Sequence, residues 1–133
     1  MLRFKDYIFY RMYLKYLRNG EFGTLTAVTF MAIVETSLSI PLIVLSNEIV
    51  PVNNNWKYAP TTITLIIMFI LNCKRYYKKG RVIEIIKTYK HSKYNKIFPD
   101  WTMVLVAFGY IITGFACIKP VLLFWRYITS LFA

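Results

Sequence analysis

Histidine and cysteine are nearly missing from this chain, with one His and two Cys in 133 residues. A protein metal site needs three or four such ligands at suitable spacing, so no metal is expected. Cys73 and Cys117 each fall at the C-terminal end of one of two consecutive apolar stretches. If both stretches cross a bilayer, the thiols lie a membrane thickness apart, far beyond the roughly 4.4–6.8 Å Cα separation of a disulfide. His91 shares a polar helix side with Glu84 and Lys87 and reads as a solvated residue.

Glycine is also sparse, at five residues, and no Gly-rich loop is present to cradle a phosphate. Acids number only six against 17 Lys and Arg, giving a net charge of +11. No paired carboxylates stand out for acid–base work, and neither Ser37 nor Ser39 has a base close in sequence. At 133 residues there is no room for a separate catalytic domain. The expectation is a protein that is not an enzyme and holds no cofactor.

Apolar sequence fills the space these absences leave. The composition is 57% hydrophobic and 18% aromatic, gathered into apolar stretches at 24–46, 59–73 and 101–118. Of the 17 basic residues, five precede the first stretch and nine lie between the second and third. Lys57 stands between the first two, and Lys119 and Arg126 follow the last. If each stretch spans a bilayer, 14 basic residues share one side and three the other. That is the asymmetry of the positive-inside rule, with a cytoplasmic N-terminus and an external C-terminus. No small-x-small cleavage site follows the first stretch, so it is expected to stay as an anchor.

The expected fold is therefore an all-α integral membrane protein, with three transmembrane helices and two basic amphipathic interfacial helices. The spans are placed at 24–46, 56–77 and 100–118. The uncharged part of the second is short, about 22 Å against a core of roughly 30 Å. Trp56, Tyr58 and the flanking Lys and Arg stems can make up the difference at the interfaces. Pro51 and the run Asn53, Asn54, Asn55 mark an outer loop.

In segment 2–19, Arg11, Lys15 and Arg18 recur on one helix side beside a wide aromatic arc that includes Tyr7, Tyr10, Tyr13 and Tyr16. This pattern suits a helix lying in the headgroup layer, or alternatively one packed on the spans or on a neighbouring subunit. Segment 81–97 carries Val82, Ile85, Ile86 and Tyr89 at helical spacing, a second candidate for the inner leaflet. An apolar tail, 121–133, either prolongs the third helix past Pro120 or lies on the outer surface.

Glu35 is the sharpest feature. A charge at mid-span costs about 2.5–3.5 kcal/mol, while the eleven Leu, Ile, Phe and Val residues of that stretch return roughly 3–7 kcal/mol. Insertion survives if the carboxyl is protonated or finds a partner. Thr36 and Ser39 lie near it in sequence, and Tyr110 and Thr113 of the third span and Asn72 of the second are candidate donors. The third span offers Gly109, Thr113 and Cys117 at four-residue spacing, a small-residue seam for close helix contact. Glu35 then serves either as hydrogen-bonded glue or as a proton or cation handler.

The basic run that includes Lys74, Arg75, Lys78, Lys79 and Arg81 is interleaved with tyrosines, yet it has no nucleic-acid signature. It reads as a cytoplasmic flank drawn to anionic headgroups, together with Arg11, Lys15 and Arg18. The expected partners are the bilayer and either another membrane protein or further copies of this chain, with no nucleic acid. The expected role is a small inner-membrane accessory, assembly or immunity-type protein acting through helix–helix binding. The competing class is a homo-oligomeric pore, holin-like or a defence effector, with a ring of Glu35 carboxylates. Proton-coupled transport is a weaker third, since so short a chain encloses little cavity.

Overall fold

The computed structural model describes residues 4–50 and 56–132. The outer-loop positions Pro51 and Asn53–Asn55 lie outside them, as do residues 2, 3 and 133 of the expected end segments. The described chain is all-α: α1 (Phe4–Arg18), α2 (Gly23–Ile49), α3 (Ala59–Tyr76), α4 (Arg81–Tyr89), α5 (Tyr94–Ile97), α6 (Thr102–Ala116) and α7 (Ile118–Phe132).

The central helix is α2, against which α1, α3, α6 and α7 all pack. α1 and α2 form an antiparallel hairpin whose turn is written in the sequence. Gly20 adopts φ 76°, a left-handed conformation that costs glycine little. The amide of Gly20 donates to the Leu17 carbonyl and that of Glu21 to the Tyr16 carbonyl, which together satisfy the end of α1.

α1 is the most enclosed helix of the fold. Tyr7, Ile8, Phe9, Tyr10, Arg11 and Met12 are successive and all buried, so no side of this stretch is left for lipid. The aromatic arc is instead shared among neighbours. Phe9 stacks on Tyr76 of α3 at 3.9 Å between ring centres, and Tyr89 of α4 meets Tyr7 and Tyr10 at 5.7 and 5.9 Å. Segment 2–19 thus packs within its own chain, with α1 lying against α2, α4 and α6. The stripe of α4 is taken up the same way. Ile85 and Tyr89 are buried, and Val82 and Ile86 pack on the same cluster. The expected 81–97 helix is interrupted after Tyr89 and resumes as the single turn α5.

The tail continues the last helix. α6 and α7 are separated by Cys117 alone and run as one apolar rod of 31 residues, Thr102–Phe132, about 46 Å long. Pro120 accounts for the break, because its ring lacks an N–H and crowds the carbonyl four residues back, at Ala116.

A second proline shapes the main helix contact. Pro41 lies inside α2 and cannot donate to the Ser37 carbonyl. Gly114 of α6 packs directly onto that carbonyl, where any Cβ would collide with it. The backbone oxygen that Pro41 leaves free is thus the surface on which α6 sits.

Candidate functional site

Two polar clusters sit where α1 meets the longer helices. In the first, Glu35 lies on α2 and Lys5 on α1, equally far along the two arms of the hairpin from its turn. The Lys5 ammonium donates to Glu35 Oε1 at 2.6 Å, and Asn72 Nδ2 donates to Oε2 at 2.7 Å. Asn72 is fully enclosed and its amide also donates to the Met68 carbonyl at 2.9 Å. The Glu35 side chain is 14% exposed and that of Lys5 51%, so the pair opens outward through the lysine. Ser39 Oγ donates to the Glu35 backbone carbonyl rather than to its carboxylate. Thr36 Oγ1 is buried with no hydrogen-bond partner among the described residues.

Among the described residues, α6 makes no hydrogen bond to this carboxylate. Thr113 Oγ1 donates to the Gly109 carbonyl at 2.7 Å, and both residues, like Cys117, face outward. A Cβ added to Gly109 would meet open space. The glycine in intimate contact with α2 is Gly114, five positions on, which the four-residue spacing does not single out.

The second cluster arranges the basic residues. Asp6, 4% exposed, binds Arg75 through Oδ1 and Arg81 through Oδ2, each at 2.8 Å, and accepts from the Tyr76 hydroxyl. Arg81 also donates to Glu84 at 2.8 Å. That hydrogen bond pushes the Arg81 pKa up, against partial desolvation and with help from the Asp6 charge. Asp100 takes Arg11 at 2.5 Å and Arg18 at 3.3 Å. Asn95 accepts from the Tyr7 hydroxyl and donates to the carbonyls of Tyr89 and Lys90. Burial raises the Tyr10 pKa, partly offset by Asn95 and the Arg11 charge, and burial likewise raises that of Tyr16.

Four of the eight basic residues assigned to a lipid surface, Arg11, Arg18, Arg75 and Arg81, are therefore engaged in internal ion pairs. Lys15, Lys74, Lys78 and Lys79 have no carboxylate within 4.0 Å among the described residues. Lys5, Asp6, Asp100 and Asn95 are the members that sequence reasoning missed. Scarcity was the available signal, since so few acids among so many bases are each expected to be claimed. Both thiols are free, and among the described residues no three His, Cys, Asp or Glu side chains gather as a metal site.

Comparison with family models, with curated proteins and with solved structures returned no match. The class rests on the fold itself. This is an all-α protein in which two helices, Gly23–Ile49 and Thr102–Phe132, are long and apolar enough to be membrane spans.

Proposed function

We propose that the chain is a polytopic inner-membrane protein with three spans, which acts without catalysis by binding other helices within the bilayer. The observation that carries this is the division of the molecule into two ends. Around α1 there is a conventional core of buried aromatic and aliphatic side chains. Away from it the apolar side chains turn outward: Ile63, Ile66 and Ile70 on α3, and Ile112, Phe115 and Leu123 on α6 and α7, are each more than half exposed. Only 11% of the most apolar window of Thr102–Phe132 is buried, whereas the core helix of a soluble protein is mostly covered. Water penalises such a surface at about 25 cal/mol per Å², and lipid does not.

α3 is the third span in this reading. It is 18 residues long, about 27 Å, with Pro60 at its start and Lys74 and Arg75 at its end. The α1 end, with its arginines, is cytoplasmic by the positive-inside rule. Glu35 then lies at the inner edge of the hydrocarbon, level with the start of α1, rather than at the midplane. Its occupation by Lys5 and Asn72 favours the glue role over a pore-lining ring. The outward seam of Gly109, Thr113 and Cys117 is the surface offered to a second copy or another membrane protein.

The test is reconstitution into liposomes with ion-flux recording, alongside mass measurement in detergent and cross-linking through Cys117 in membranes. Silent vesicles and a Cys117 cross-link that Gly109→Leu abolishes agree with the binding role. Flux that disappears with Glu35→Gln overturns it in favour of a pore.

A further inference from the structure

Three of the lysines left without an internal ion pair gather at one turn. Lys74, Lys78 and Lys79 surround the turn between α3 and α4, where Gly80 takes φ 80° and reverses the chain. Together with Arg75, Arg81 and one carboxylate, Glu84, they line a cavity of about 470 Å³. The two arginines are anchored from behind, both on the enclosed Asp6 carboxylate, so one wall of the cavity is fixed by the fold. The three lysines are exposed and form no ion pair among the described residues, and the Glu84 carboxylate in the lining is held by Arg81 at 2.8 Å. One turn before Lys74, Ile70 and Leu71 are 55% and 54% exposed.

We propose that this turn is a binding site for the phosphate headgroup of an anionic phospholipid in the inner leaflet, with an acyl chain lying along Ile70 and Leu71. The chemistry is complementary at both ends. A phosphodiester accepts several N–H donors at once and attracts ammonium groups as point charges. The adjoining apolar strip excludes a free anion from half of the surface. Diffuse attraction of a cationic flank requires no cavity, whereas here the clamped arginines and the turn hold the donors around one point. The inference rests on the membrane reading of α3.

The test uses the full chain purified in a mild non-ionic detergent and native mass spectrometry. Added phosphatidylglycerol is expected to remain bound, and phosphatidylcholine is not. Lys78→Gln with Lys79→Gln should lower retained phosphatidylglycerol on the order of tenfold. Lys87→Gln with Lys90→Gln removes the same charge from α4 and its end and should leave retention unchanged. Equal loss in both double variants overturns the site in favour of diffuse charge. Displacement of the lipid by inorganic phosphate at equal concentration also overturns it, because a free-anion site makes no use of Ile70 and Leu71. A chain that stays dissolved and monomeric without detergent would defeat the membrane reading itself, and that outcome is distinct from loss of the headgroup site alone.

Discussion

Lys5 and Glu35 meet at 2.6 Å, thirty residues apart in sequence and on facing arms of the α1–α2 hairpin. The pair converts an isolated acid in an apolar helix into a lock on the position of α1. Its two members are unequally covered, which sets what each contributes. Glu35 is largely enclosed and depends on its donors, while the half-exposed Lys5 retains access to water.

Lys5→Met is therefore expected to destabilise the protein by about 1–2 kcal/mol, the cost of an under-satisfied carboxylate reduced by screening at the open lysine. Glu35→Gln keeps an acceptor for Asn72 and should cost less. Thermal unfolding in detergent of both single variants and the double variant measures the coupling. A double variant no more stable than the sum of the two single losses would show that the contact contributes nothing.

Asp6 governs a larger set of groups. Its carboxylate is the shared acceptor of Arg75, Arg81 and Tyr76, so Asp6→Ala strands two guanidinium groups and a buried hydroxyl. A loss of about 2–3 kcal/mol is expected, below the full cost of a broken buried pair because both arginines are partly exposed. Limited proteolysis should report it locally, as faster trypsin cleavage in the α3–α4 turn. Unchanged cleavage would mean the turn is held by something other than Asp6.

Gly114 and Gly109 make a matched pair. A methyl at Gly114 runs into the Ser37 carbonyl, while a methyl at Gly109 meets open space. Gly114→Ala should lose about 1–3 kcal/mol as α6 is pushed from α2, and Gly109→Ala should be neutral or slightly stabilising within the single chain. The two melting curves in detergent decide it, and equal behaviour would contradict the close approach at Ser37.

The alkaline limit of stability follows from two phenols, buried Tyr10 and half-buried Tyr16. Tyr10 and Tyr16 have pKa values raised above the ordinary 10.0, mainly by burial. Each therefore binds its proton more firmly in the folded chain than in the unfolded one. That contribution is complete below about pH 10 and is lost as pH climbs through the higher folded value. The melting temperature should hold steady between neutral pH and about pH 9 and fall above about pH 10. Tyr10→Phe should flatten part of that fall. A decline already under way near pH 8 would point to other groups.

Much of this architecture was legible because helix-forming apolar runs are local signals. The stretch 24–46 became Gly23–Ile49, and 59–73 became Ala59–Tyr76. Chain reversals were legible too, since Asn19-Gly20 and Gly80 act through their own backbone. The covering of α1 was not. Arg11, Lys15 and Arg18 at helical spacing describe a helix beside any polar layer, whether headgroups or protein. Asp100 and the Asn95 carbonyl, each more than eighty residues away in sequence, make Arg11 an interior residue. Glu35 was conspicuous for its cost, but its partner Lys5 stood among five N-terminal bases with nothing local to mark it. Gly114 was hidden for a different reason, because its role depends on the carbonyl freed by Pro41 in another helix.

Cys117 offers the most direct probe of how the last helix sits in a membrane. It lies at the middle of the Thr102–Phe132 rod, three residues beyond the Gly114–Ser37 contact, and its side is exposed on the protein. If the tail lay on the outer surface, this thiol would mark the exit from lipid and would react with a membrane-impermeant maleimide added outside intact cells. A continuous rod places it in hydrocarbon instead. It should then resist that reagent from either face, react with a small lipophilic thiol reagent, and become fully reactive once the membrane is dissolved in denaturing detergent. The variant Cys73→Ser isolates its signal. Labelling of Cys117 from outside would bend the helix at Pro120 and return residues 121–133 to the outer interface.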